Sequence, residues 1–258
     1  MRTEWLRPHA LPALTKTSVH IWRGSLEIDA ETEKRLAVTL SEDEKARADR
    51  FILKRDRDSF IASHGILRDL LSRYLGCDPS ATKYAFGAHG KPAVCGTGPV
   101  HPLRFNLSHS HGIAVVAIAS DRELGVDVEE IRPQFAGGQI AERYFSSHEI
   151  IELHNLPVGQ QAEGFFLCWT RKEAYVKALG EGLRFPLDGF SVSLTPDEPA
   201  QLHADDANRW SIQSFEPSKL PGSRHVAALV CEGTDWTAEY LEWTGCEGAG
   251  RERWPEKR

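Results

Sequence analysis

Trp169-Thr170-Arg171-Lys172-Glu173-Ala174-Tyr175-Val176-Lys177-Ala178-Leu179-Gly180 is the stretch on which the reading of this chain turns. Residues four apart share a helix face, so Trp169, Glu173 and Lys177 form one stripe, with Lys172 on its flank. The flanking segments Phe165-Phe166-Leu167-Cys168 and Ala174-Tyr175-Val176 are apolar almost all round, which predicts a mostly buried helix capped at Gly180. An exposed Glu–Lys pair would be worth only a few tenths of a kcal/mol, roughly. Buried charges, by contrast, need partners or a metal.

Upstream, Gly125-Val126-Asp127-Val128-Glu129 reads as a strand. Alternation puts Asp127 and Glu129 on one face, roughly 6–7 Å apart, and Val126 and Val128 on the other. Taken alone this is most often a half-buried strand with a polar outer face. Together with the helix it offers three carboxylates, Asp127, Glu129 and Glu173, beside lysines. That set describes a Mg²⁺ site that holds a pyrophosphate, since this hard cation takes a few carboxylates, waters and phosphates.

The two motifs lie about forty residues apart, and the pair resembles the signature of the 4′-phosphopantetheinyl transferases, in particular their longer, monomeric, surfactin-synthetase-activating type. Further segments agree in order: Ser41-Glu42-Asp43-Glu44-Lys45 through Arg50-Phe51, Gly90-Lys91-Pro92, Phe105-Asn106-Leu107-Ser108-His109-Ser110, and Tyr144-Phe145-Ser146-Ser147-His148-Glu149. The resemblance covers roughly residues 40 to 190.

The resemblance implies an α+β fold of two similar αβ halves in a pseudo-twofold arrangement, with the active site in the cleft between them. The halves are expected at residues 1–123 and 124–244, followed by a disordered tail, 245–258, rich in Gly, Glu and Arg. It implies transfer of 4′-phosphopantetheine from coenzyme A to a serine of an apo acyl or peptidyl carrier protein, releasing adenosine 3′,5′-bisphosphate. Asp127, Glu129 and Glu173 would hold Mg²⁺, and Lys177 would neutralise the leaving group. Glu149 is the residue to take the serine proton, or else a first-turn glutamate favoured by the helix dipole. Lys91, Ser108 and His109 match phosphate-contacting positions, although Gly90-Lys91-Pro92 also reads as a plain turn. Lys172 would contact a phosphate or a neighbouring carboxylate. Between Lys45 and Arg57 runs a basic segment in which Arg47 and Lys54 are candidates for the 3′-phosphate of coenzyme A; a solvated helix face is the other reading. Phe60 departs from the pattern there, standing where a polar residue is expected.

Composition agrees with a soluble globular protein of 258 residues and net charge −6, which argues against a general nucleic-acid binder. The longest apolar run, Ile113 to Ala119, is too short to span a bilayer, and no signal peptide is visible. Cys77, Cys95, Cys168, Cys231 and Cys246 are odd in number and scattered, which predicts reduced thiols and a cytoplasmic location. His109 and His111 lack the acids or cysteines of a zinc site.

Strands are expected at 19–22, 84–86, 104–107, 113–119, around Asp127, and at 190–194, 210–215, 225–231 and 238–243. Helices are expected from about Glu31, from Ser41 with a capping box to Glu44, from Arg57 to Tyr74, and from Ser146 or Ser147. Two other functions compete: a different Mg²⁺-dependent phosphotransferase, for which the Walker loop is absent, and a non-catalytic binding module, which should have lost a carboxylate or Lys177.

Overall fold

The computed structural model describes residues 3–95, 102–134, 137–182, 185–217 and 223–245. The expected tail falls outside these residues, apart from Gly245.

The first half begins with strand β1 (Ser18–Ser25) and the short helices α1 (Ala30–Ala37) and α2 (Glu42–Ala48). Helix α2 opens as its sequence dictates: the Ser41 side chain accepts the Glu44 N–H while the Glu44 carboxylate accepts the Ser41 N–H. Helix α3 (Lys54–Leu75) is closed by Gly76 in the left-handed conformation, φ 63°. A small hairpin of β2 (Tyr84–Phe86) and β3 (Pro92–Val94) leads to β4 (Leu103–Ser110) and β5 (Ile113–Ser120).

The second half repeats the plan. It consists of β6 (Leu124–Glu130), α4 (Gly138–Tyr144), α5 (Ser147–Asn155), α6 (Val158–Leu179), the short β7 (Ser191–Val192) and β8 (Leu202–His203), then β9 (Trp210–Phe215) and β10 (His225–Glu232). In each half the first strand pairs antiparallel with the last, and the last with the strand before it: β1-β5-β4 in one sheet, β6-β10-β9 in the other. The expected two similar halves are thus present as a repeated topology. One element breaks the expected division at 123/124. Strand β11 (Thr237–Glu242) comes late in the chain yet pairs parallel with β1 in the first sheet, with Ile21 opposite Tyr240.

The apolar faces explain the layering. Val19, Ile21, Val115 and Ala117 from the first sheet share a core with Val126, Val128, Ala227 and Leu229 from the second. The opposite face of the first sheet packs on α3, through Ile66, Leu67 and Leu70, and that of the second on α6. Between the sheets, β4 meets β6 through side chains. Asn106 Oδ1 accepts the Val126 N–H at 2.9 Å, Ser108 Oγ that of Val128 at 3.4 Å, and Ser110 Oγ that of Glu130 at 3.4 Å. Every second residue of β4 therefore satisfies a backbone donor of β6 that would otherwise be left without a partner. Among the described residues no helix is long and apolar enough to cross a membrane.

Two helical stretches stand where the sequence raises no helix expectation: α4 at Gly138–Tyr144, and the start of α6 at Val158 with Pro157 as its N-cap. Proline lacks the N–H that a first helical turn leaves unpaired anyway, so it opens the helix instead of breaking it.

Candidate active site

Gly125 sets the distance between β6 and α6. A Cβ built there would lie 2.2 Å from the Ala174 carbonyl oxygen and 2.4 Å from the Ala178 nitrogen, so the helix backbone rests directly on the strand. Asp127 and Glu129 lie two and four residues further along the same face of β6, and Glu173 and Lys177 lie on α6. The short separation lets the Lys177 ammonium reach Asp127 Oδ1 at 2.6 Å, the Val126 carbonyl at 3.2 Å and Ser108 Oγ at 3.2 Å. Ser108 Oγ donates to Asp127 Oδ1 at 2.9 Å, and Ser110 Oγ donates to Glu129 Oε2 at 2.8 Å. The serines of β4 thus aim both β6 carboxylates. Ser110 was not among the sequence candidates; its signal is the Asn106-x-Ser108-x-Ser110 alternation, polar at every second position.

The charges in this cluster do not balance. Burial pushes the Glu129 and Glu173 carboxyls above the usual carboxylate range, and the Asp127 charge pushes them further. Lys177 opposes this without cancelling it. Asp127 Oδ2 is buried and has no hydrogen-bond partner among the described residues. An oxygen in that position beside two half-buried carboxylates is a donor set of the hard type that suits a magnesium ion. Among the described residues, however, no three His, Cys, Asp or Glu side chains close on one point as a finished metal site, and the cation now facing Asp127 is Lys177.

Ser110 also lines a cleft of about 1000 Å³, together with Arg47, Lys54, His64, His109 and the aromatic rings of Phe51 and Phe60. Phe60 is accounted for here. Its ring stacks on His64 with centroids 4.0 Å apart, and the Arg47 guanidinium lies 5.3 Å from its centroid, so an apolar residue builds the wall that carries the cations. Burial lowers the His109 pKa, and the charges of His64, Lys177 and Arg47 lower it further, so its ring is neutral near pH 7 and offers one N–H. Lys54 sits at the cleft rim, paired with Asp58 at 2.5 Å. The structure therefore gathers Arg47, Lys54 and His109 at one cleft, and Ser108, Asp127, Glu129, Glu173 and Lys177 beside it.

Three candidates lie elsewhere. Glu149 is fully buried with both oxygens engaged: Oε2 meets the Ser146 N–H at 2.7 Å and the Lys172 ammonium at 2.8 Å, and Oε1 accepts the Val192 N–H at 2.8 Å. It presents no oxygen to the cleft in this arrangement, and its geometry fits the reading as a first-turn glutamate of a capped helix. Lys172, also fully buried, meets the neighbouring carboxylate and the carbonyls of Leu187 and Phe190, each at 2.7 Å, so it has no proton left for a phosphate. Lys91 donates to Glu123 Oε2 at 2.7 Å, to the Leu124 carbonyl at 3.1 Å and to the Ala178 carbonyl at 2.9 Å. It ties the β2–β3 hairpin to the start of β6 and the end of α6. For Gly90-Lys91-Pro92 the turn reading holds, with Gly90 at φ 86°.

Comparison with known proteins bears on the same residues. Residues 123–230 match the family described as the 4′-phosphopantetheinyl transferase superfamily, and residues 29–122 match the family described as 4′-phosphopantetheinyl transferase, N-terminal. The two matches meet where β5 gives way to β6. The chain is 37% identical over 239 residues to the 4′-phosphopantetheinyl transferase HetI of Nostoc sp., an alignment covering 93% of this chain and 98% of that one. To the 4′-phosphopantetheinyl transferase Sfp of Bacillus subtilis it is 29% identical over 181 residues, covering 70% and 78%. To the 4′-phosphopantetheinyl transferase AcpT of Escherichia coli it is 40% identical over 113 residues, covering 44% and 55%.

Proposed function

Because the chain belongs to the 4′-phosphopantetheinyl transferase superfamily, we propose that it transfers the 4′-phosphopantetheine group of coenzyme A to a serine hydroxyl of an apo acyl or peptidyl carrier protein. The observation that carries this reading is the cluster of Asp127, Glu129, Glu173 and Lys177 opening beside a cleft lined by Arg47, Lys54 and His109. A carboxylate cluster next to fixed cations is what transfer of a charged phosphoryl group requires, since such catalysis is mostly positioning and charge stabilisation.

The serine oxygen forms a bond to the phosphorus that carries pantetheine. The bond from that phosphorus to the bridging oxygen breaks, and adenosine 3′,5′-bisphosphate leaves with the electron pair. Asp127, Glu129 and Glu173 would hold Mg²⁺; the unpartnered Asp127 Oδ2 and the mutual repulsion of the three carboxylates support this. When bound, the ion neutralises the pyrophosphate and the charge that develops on the departing oxygen. Lys177, one helical turn beyond Glu173, adds positive charge on the same side. With Glu149 enclosed, Glu173, half-buried on α6, is the carboxylate left to take the serine proton. Arg47, Lys54 and neutral His109 bind phosphate oxygens of coenzyme A in the cleft.

We infer further that the enzyme works as a monomer in the cytoplasm. One chain supplies both repeats, and the described cysteines Cys77, Cys95, Cys168 and Cys231 are unpaired thiols.

The test is intact-mass analysis of an apo carrier protein incubated with this protein, coenzyme A and Mg²⁺. The expected result is a mass gain of one phosphopantetheine, absent with chelator and absent for Asp127→Asn. Normal coenzyme A binding without mass gain on any carrier type would favour a binding module instead.

The raised carboxyls carry a prediction with a definite sign. Mg²⁺ binds them deprotonated, so its affinity should fall as the pH drops into their range, and binding should release protons. Calorimetry in buffers of different ionisation enthalpy reads that release directly. Without metal, the native state holds protons that the unfolded chain gives up at the ordinary carboxylate pKa. The cluster's contribution to stability is therefore greatest at acid pH and declines as the pH rises through this range. Added Mg²⁺ should reverse the decline.

A further inference from the structure

The halves repeat more than their strand order. In the first, Glu44 is the third residue of a capping-box helix; it accepts the Ser41 N–H at 2.8 Å and reaches across to Arg68 Nε at 2.6 Å. Arg68 in turn donates to the carbonyls of Pro79 at 3.1 Å and Thr82 at 3.0 Å. In the second, Glu149 is the third residue of a capping-box helix and reaches across to Lys172, which donates to the carbonyls of Leu187 and Phe190. Arg68 and Lys172 are each the fifteenth residue of a 22-residue helix, and each stands eight residues before a left-handed glycine, Gly76 or Gly180. Arg68 is 1% exposed and Lys172 0%. Each is followed by an acid and, four residues later, by a base: Asp69 and Arg73 in α3, Glu173 and Lys177 in α6.

We infer that Glu149 and Lys172 are a positioning pair, the second copy of a brace that locks a capping-box helix and the loop after the long helix onto that helix's buried base. In α6 this brace fixes the helix rotation that turns Glu173 and Lys177 toward β6. The first copy carries the same brace outside the carboxylate cluster, with Glu44 reaching the cleft side chain His64 at 3.2 Å. Its neighbouring acid, Asp69, accepts from Arg73 at 2.6 Å and from the Trp243 indole at 2.7 Å. Electrostatics agree. Burial drives the Glu44 pKa upward, yet the hydrogen bonds from His64 and Ser41 and the Arg68 guanidinium outweigh it and hold the carboxyl at about 2. Glu44 is thus an acid fixed as an anion for structure. In the second copy the three Lys172 protons meet three acceptors, which completes the pair.

The role of Glu173 and Lys177 rests on the transferase reading, so the test includes measurements that do not need turnover. Glu149→Gln leaves Lys172 buried without a counter-charge. We expect its melting temperature to fall by on the order of 5–10 °C. Mg²⁺ affinity and transfer rate should fall together, the latter by up to about a hundredfold, as for a misplaced catalytic group. The double variant Glu149→Gln/Lys172→Met removes the uncompensated charge and should recover part of the lost melting temperature, metal affinity and rate together; the remaining deficit reflects the Leu187 and Phe190 carbonyls left without their donor. Lys172→Arg, which copies the first half, should keep all three, and the pH–rate profile of the double variant should keep its acid limb. The inference is overturned if Glu149→Gln melts and binds Mg²⁺ like wild type while kcat collapses and the acid limb disappears, or if the double variant recovers stability without metal affinity. A wild-type protein that transfers nothing would remove the functional reading, and melting and metal binding would still decide the brace.

Discussion

Gly125→Ala is expected to lose most transferase activity and about 3 kcal/mol or more of stability, at or beyond the upper end of ordinary overpacking. The new methyl group would meet backbone on α6, 2.2 Å from the Ala174 oxygen and 2.4 Å from the Ala178 nitrogen, and backbone cannot rotate away as a side-chain tip can. The helix must lift from the strand, and the 2.6 Å contact between Lys177 and Asp127 lengthens with it. Chemical denaturation and Mg²⁺ titration check this together: the midpoint should drop and the metal affinity should weaken. Unchanged affinity with an unchanged midpoint would mean that strand and helix tolerate separation.

Lys177→Met should divide stability from turnover. Without metal it leaves Asp127, 5% exposed, with no counter-charge, so the melting temperature falls. With saturating Mg²⁺ the ion replaces the missing charge and the melting temperature returns toward that of the metal-bound wild type. Turnover does not return. The positive charge beside the departing oxygen is still absent, and kcat should remain lower by about 10²–10³-fold, as when one electrostatic stabiliser is deleted. Single-turnover mass spectrometry at saturating coenzyme A and Mg²⁺ gives the number. Full recovery of kcat by Mg²⁺ would show that Lys177 serves only to hold Asp127.

Local pattern carried much of this into view from the sequence. The alternation of Asp127 and Glu129 and the four-residue spacing of Glu173 and Lys177 are properties of one strand and one helix, so each could be read without knowing the partner. The same holds for the box at Ser41 and for the stop at Gly180. What escaped depends on contacts between distant segments. Nothing local in Glu149 says that its carboxylate is enclosed by Lys172 and Val192 rather than open to a cleft. Lys91 reads as a free cation until the Ala178 and Leu124 carbonyls arrive around it. Helix α4 was hidden by Gly137 and Gly138, whose type signals a loop wherever no tertiary packing overrides it.

The late strand β11 settles how this protein can be taken apart. It lies between β1 and the Leu6 segment, whose backbone bonds to Tyr240 and Glu242 on its other side. A cut between the halves would remove that strand and leave β1 with an open hydrogen-bonding edge that carries Val19, Ile21 and Trp22. Such an edge invites pairing with a second molecule and then with more. Excision of the first half therefore has to bring Thr237–Glu242 along on a linker, and a circularly permuted chain would suit this better than a truncated one.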